Sequence, residues 1–264
     1  MEKAIKRYMP IFVLPTLFAF IIGFVIPFIL GIGLSFCNFT TVPDATFTGL
    51  QNYIDALNDT VFQHAFWYTA LFTVASVVVI NVASFALAMA LTQKLRGTNI
   101  FRTVFFMPNL IGGIVLGYIW QLIFNGILVN YSQSISLNEW YGFAGLLILV
   151  AWQQIGYMMI IYIAGLQAIP GDVLEAAEID GASGFKRLFK VTIPMMMPSI
   201  TICLFLTVTN GFKLFDQNLS LTAGEPSKMS EMLALNIYST FYGRTGWEGV
   251  GQAKAVIFFI IVVA

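Results

Sequence analysis

Long apolar runs alternate with short polar ones along the whole chain. Six runs stand out, at 11 to 36, 66 to 92, 103 to 125, 143 to 166, 194 to 215, and one beginning near 250. About 20 apolar residues of helix cross the ~30 Å hydrocarbon layer of a bilayer, so runs of this kind read as transmembrane helices. Open strands are excluded, because backbone groups in lipid find no water to bond. The pattern predicts an all-α polytopic membrane protein with six transmembrane helices, joined on one side by 37 to 65, 126 to 142 and 216 to 249. The last run, 250 to 264, supplies only 15 residues. That is ~22 Å of helix, and a span cut short at 264 is expected. The first run is expected to be a span rather than a signal peptide, since it is long, holds Pro15 and Pro27 and ends without a small-x-small cleavage site. No internal repeat or low-complexity tract breaks the pattern, so 1 to 264 reads as one transmembrane domain.

Composition agrees: 58% of the residues are hydrophobic and 10% charged. Net charge is zero, which gives no sign of a nucleic-acid partner, but the distribution of charge is informative. Lys3, Lys6 and Arg7, then Lys94, Arg96 and Arg102, then Lys186, Arg187 and Lys190 form three basic clusters. The segments outside these clusters carry mostly acids, among them Asp44, Asp55, Asp59, Glu139, Asp216, Glu225, Glu231 and Glu248. The positive-inside rule places the N-terminus and the 94 to 102 and 167 to 193 segments in the cytoplasm. Cys37 and Cys203 fall at different depths, where a disulfide does not easily join them, and read as packing residues. The single histidine, His64, in an outer connection, has no second ligand type nearby and is not expected to bind metal.

One cytoplasmic segment is patterned differently. Pro170, Gly171 and Asp172 start a helix expected over 172 to 180, and Gly181 ends it with a residue that tolerates positive φ. A second helix is expected from Ser183, carrying Lys186, Arg187 and Lys190 before Pro194 opens the next run. Glu175, Ala176 and Ala177 are followed at fixed spacing by Gly181 and then by Val191, Thr192, Ile193 and Pro194. This spacing resembles the EAA loop of the membrane subunits of ATP-binding-cassette (ABC) importers. Small alanines admit close approach of a partner, and Glu175 offers a charge-assisted contact. An isolated Glu-Ala-Ala triplet would more simply be an amphipathic helix resting on lipid headgroups; the added spacing favours the docking reading.

The rest of the chain is similar to the carbohydrate-uptake branch of those permeases, the maltose, multiple-sugar and glycerol-phosphate type. Gly49 to Tyr53, Arg102 to Pro108, Trp120 to Asn125 and Phe215 to Pro226 carry the likeness, with Glu225 standing where relatives usually have Gly and without the large outer insertion of the maltose-system subunit. The resemblance implies the type I ABC importer permease fold in a bacterial inner membrane. It implies a second, homologous permease as partner, a pair of ATPase subunits gripping the EAA loops at Glu175, Ala176, Ala177 and Gly181, and an extracytoplasmic solute-binding protein that delivers sugar. No cofactor is expected on this chain: ATP would be bound by the ATPase partners, and no Gly-x-x-x-x-Gly-Lys-Ser/Thr run occurs here.

Polar side chains at mid-depth are costly without partners and mark candidate water-lined paths. Gln153 and Tyr157 stand four apart on one helical face with Gln154 beside them; Thr207, Asn210, Gly211 and Leu214 form another stripe; Asn109 follows Pro108. Amides, hydroxyls, an aromatic face and glycine suit a neutral sugar. By the resemblance Gln153, Gln154, Tyr157, Thr207, Asn210, Gly211 and Leu214 lie at or near the sugar contacts of maltose-type relatives. For any one of them, interhelical hydrogen bonding is the competing role. Lys213 and Asp216 are expected to pair or to snorkel, and a lysine there keeps an anionic substrate open. The alternative function is an ion-coupled secondary transporter of small polar solutes, disfavoured by the lack of intramembrane carboxylates. A membrane enzyme lacks a nucleophile and base, and a channel lacks charged rings.

Overall fold

The computed structural model describes residues 2–93 and 97–263, without the side chains of residues 2–8, 10 and 12. Lys94 and Arg96 of the middle basic cluster lie outside the described residues, as do the side chains of Lys3, Lys6 and Arg7.

The described residues are mostly helical. In order it forms α1 (Glu2–Phe20), a π turn (Ile21–Val25), α2 (Ile26–Leu34), a two-stranded hairpin of β1 (Cys37–Asn38) and β2 (Thr46–Phe47), α3 (Gln51–Asn58) and α4 (Thr60–Leu91). Then follow α5 (Thr98–Phe106), α6 (Gly113–Leu128), α7 (Glu139–Gln167), α8 (Gly171–Ile179), α9 (Gly184–Arg187), α10 (Ile193–Met195), α11 (Met197–Phe212), α12 (Asp216–Leu221), α13 (Leu233–Gly243) and α14 (Glu248–Val263). Among the described residues four helices are long and apolar enough to cross a membrane, five if the bent pair Gly184–Met195 and Met197–Phe212 is one span.

The apolar runs at 11 to 36, 66 to 92 and 143 to 166 fall on helix, but two others are broken. The run expected at 103 to 125 stops at Phe106, passes through a 3-10 turn at Met107–Leu110 and restarts at Gly113. Pro108 has no N–H for the helical ladder, and Gly112 and Gly113 let the chain turn. The run expected at 194 to 215 bends by 72° between α10 and α11, where Pro194 and Pro198 flank the break. The 216 to 249 connection is not plain loop, since it contains α12 and α13. His64 likewise sits inside α4 rather than in a connection.

The chain divides into two compact units, Met1–Gln63 with Asn236–Ala264, and His64–Leu235. In the second, Phe72, Ile80, Leu146, Leu149, Met158, Met159 and Tyr162 form a buried apolar core. Helices approach closely where glycine removes the side chain. A Cβ on Gly156 of α7 would overlap the Phe105 carbonyl of α5, and one on Gly117 of α6 would overlap the Ser220 hydroxyl of α12. In the first unit the fully buried Lys254 of α14 bonds Asp59 at 2.7 Å, Thr240 at 2.8 Å and Asn236 at 3.0 Å. Arg244 reaches the same carboxylate at 3.3 Å.

Candidate functional site

The interruptions that spoil the simple six-rod picture build a cleft within the second unit. It encloses about 300 Å³ and is lined by Asn109, Gln153, Gln154, Asn210, Lys213, Leu214, Phe215, Asp216 and Gln217. Asn109 comes from the 3-10 turn after Pro108, Gln153 and Gln154 from the middle of α7, Asn210 from the end of α11, and Asp216 and Gln217 from the start of α12. Between α11 and α12 the chain leaves the helix over Lys213 to Phe215, which turns these side chains toward the same space. Irregular backbone at membrane depth is tolerated where it lines a cavity.

The carboxamides are bonded to one another. Gln153 Nε2 donates to the Ile111 carbonyl at 3.1 Å, and its Oε1 accepts from Gln217 Nε2 at 2.7 Å. Asn210 Nδ2 lies 3.5 Å from Gln154 Oε1, a long contact that a ligand can displace cheaply. The arrangement offers donors and acceptors with one Lys and one Asp, hence no formal net charge. Lys213 and Asp216 both line the cleft, and no salt bridge joins them among the described residues.

Five of the residues singled out in the sequence thus meet in one place: Asn109, Gln153, Gln154, Asn210 and Leu214. Three others stand elsewhere. Thr207 is buried, donates to the Cys203 carbonyl and accepts from Asn81 Nδ2 at 3.0 Å. Asn81 Oδ1 accepts in turn from Tyr162 at 2.7 Å, so this trio ties α4, α7 and α11 together. Gly211 is buried against α4, where a Cβ would come 2.8 Å from the Thr73 hydroxyl. Tyr157 does not line the cleft: it is 37% exposed, and its nearest ring is Phe106, centroids 6.5 Å apart. Four residues along a helix is a turn of about 400°, enough to carry Tyr157 past the edge that Gln153 occupies. Gln217 was missed because it falls beyond the apolar run. The available signal was its place in the polar run Asp216-Gln217-Asn218 just past the apolar stretch.

The Glu175 segment has the helical form its residues predict. Helix α8 ends in a Schellman turn: Ala182 N–H reaches the Ala177 carbonyl at 2.9 Å, Gly181 N–H reaches that of Glu178 at 3.1 Å, and Gly181 adopts φ +74°. Glu175, Ala176 and Gly181 are exposed, and Ala177 is half-buried. Arg187 lies 3.6 Å from Glu178, bracing the second helix against the first. Ile179 and Phe185 project with 86% and 79% of their surface free.

Long apolar helices, a polar cleft in the second unit whose Lys213 and Asp216 offset in formal charge, and a capped helical turn outside the apolar runs fit a membrane transport component. Residues 83–264 match the family model described as binding-protein-dependent transport system inner membrane component. The chain belongs to this family, the permease components of ABC importers. It is 44% identical to the "Probable starch degradation products transport system permease protein AmyD" of Thermoanaerobacterium thermosulfurigenes, over 96% of this chain and 89% of the relative. It is 30% identical to the trehalose/maltose transport system permease protein MalF of Thermococcus litoralis (85% and 79% covered). Identity is 32% to the sn-glycerol-3-phosphate transport system permease protein UgpA of Agrobacterium fabrum (83% and 78% covered). The fold is similar to that of a chain in the crystal structure of a bacterial alginate ABC transporter in complex with alginate pentasaccharide-bound periplasmic protein, with TM-score 0.79, 18% identity, and 100% of this chain and 94% of that chain covered.

Proposed function

We propose that this permease imports neutral oligosaccharides released from starch, passing them through the Asn109, Gln153, Gln154 and Asn210 cleft. The observation that carries the reading is the cleft's lining of carboxamides with offsetting Lys213 and Asp216. Sugar hydroxyls both donate and accept, as amides do, whereas an anion would favour unopposed cations. The 44% identical relative, named for starch degradation products, supports the substrate class. Leu214 belongs to the wall of the pathway, Thr207 and Gly211 back that wall by seating α11 on α4, and Tyr157 adds an aromatic face when the helices rearrange.

In this reading the protein spans the membrane six times, α14 being the sixth span, with its N-terminus and the 167 to 193 segment in the cytoplasm. It pairs with a second, homologous permease; two ATPase subunits bind ATP, and an outer solute-binding protein delivers sugar. The chain itself needs no cofactor. Reconstituted with those partners, it should take up maltotriose and leave glycerol 3-phosphate. Preference for the phosphate would overturn the substrate assignment.

Coupling to the ATPases would run through Glu175, Ala176, Ala177 and Gly181. Ala177 is the half-buried member of the triplet, where a bulky side chain is accommodated least easily. Ala177→Trp should abolish maltotriose-stimulated ATP hydrolysis while the two permeases still co-purify. Full stimulation in that variant would remove α8 from the coupling route.

A further inference from the structure

The bond between Gln217 and Gln153 has a direction that the protein itself dictates. A backbone carbonyl only accepts, so the Ile111 oxygen, 3.1 Å away, must face Gln153 Nε2. Gln153 then presents Oε1 to Gln217, which must answer with Nε2 as donor at 2.7 Å. The remaining oxygen of Gln217, Oε1, receives no hydrogen bond from the protein among the described residues.

Little freedom is left to undo this order. Helix α12 is seated on α6, where a Cβ on Gly113 would stand 2.8 Å from Asp216 Cβ and 2.9 Å from Gln217 Cδ. Gln121 of α6 donates to the Leu221 carbonyl at 2.9 Å, fastening the other end of α12. Such a chain of bonded amides polarises in one sense, which strengthens the terminal oxygen as an acceptor.

We infer that Gln217 is a specificity-determining residue for transport: it ends the relay from the Ile111 carbonyl through Gln153 with a free acceptor in the cleft. That acceptor selects a substrate group able to donate, a sugar hydroxyl, over a phosphate or carboxylate oxygen that only accepts. Lys213 and Asp216 offset each other in formal charge, so discrimination falls to the placed amide. The inference rests on the sugar-import reading above and goes beyond it by naming the residue and the sense of the hydrogen bond.

The test uses the complete reconstituted transporter with maltotriose and glycerol 3-phosphate as paired probes. Gln217→Met, which keeps the side-chain length without the amide, should raise the KM for maltotriose by about 2- to 10-fold, the scale of one lost hydrogen bond. The complex should still assemble, and its preference for maltotriose over glycerol 3-phosphate should fall. Gln217→Glu, nearly isosteric, sets an oxygen against Gln153 Oε1 and should lose maltotriose affinity at least as strongly. Wild-type maltotriose KM in either variant overturns the inference, as does failure of both to assemble, which would make Gln217 a packing residue. A wild-type complex that refuses maltotriose instead overturns the sugar reading itself, before any variant is compared.

Discussion

Replacing Gly156 by valine should prevent the protein from assembling in its native form. Helix α7 meets α5 at this glycine so closely that even a Cβ would overlap the Phe105 carbonyl oxygen and stand 2.8 Å from the Phe106 nitrogen. Carbon atoms in good contact sit about 3.5–4.0 Å apart, and the obstacle here is backbone, which cannot rotate away as a side chain does. Overpacking a well-filled site costs about 1–3 kcal/mol, and a clash with main chain belongs at or above the top of that range. Displacing α5 would also carry away Asn109 and the Ile111 carbonyl, which follow it directly in the chain and hold one wall of the cleft. Gly156→Ala should therefore lower the yield of folded protein, and Gly156→Val should abolish both folded yield and uptake. Gly126→Ala is the matched control, since a Cβ there meets nothing within 4 Å. Monodisperse, transport-competent Gly156→Val protein in size-exclusion and uptake assays would contradict the close approach of α5 and α7.

The sequence made the helical class, the family likeness and most of the cleft legible because each is written locally. Apolar length marks the helices at 66 to 92 and 143 to 166; the fixed spacing from Glu175 to Pro194 marks the capped turn, and Gly181 does adopt the left-handed conformation its position calls for. The breaks after Phe106 and at Met196 were less legible. Prolines in apolar helices are common, and whether one kinks a span or ends it depends on what the freed carbonyl meets. The Ile111 carbonyl, left outside both helices at the break, meets Gln153, forty-two residues away. Thr207 shows the same limit from the other side. Its helical stripe is real, but Asn81 on α4 claims its hydroxyl, and nothing in the local pattern of either helix reveals the pairing. Lys254 was overlooked for a related reason: a lysine near the start of an apolar run reads as an interfacial anchor until Asp59 is found beside it.

That buried pair yields the other large effect. Asp59→Ala should destabilise the protein by about 3–5 kcal/mol, the usual cost of removing one partner of a buried ion pair. Lys254 is fully buried, and its ammonium bonds Asn236 and Thr240 as well as Asp59. The reverse change should be milder. In Lys254→Met, Asp59 keeps Arg244 at 3.3 Å and the Val61 N–H at 3.0 Å, and Arg244 reaches solvent. Acid should erase the difference. Burial pushes the Asp59 carboxyl upward, but the Lys254 hydrogen bond and charge, the Val61 N–H and Arg244 together outweigh it and hold the group below its ordinary 3.8. A carboxylate depressed in the folded state contributes stability that is present above the unfolded value and is lost as pH falls through the folded one. Thermal unfolding of detergent-solubilised protein should therefore show wild type well above Asp59→Ala at neutral pH, with the gap closing only below pH 3.8. Equal unfolding temperatures for wild type and Asp59→Ala at neutral pH would show that the pair does not hold α14 to the start of α4.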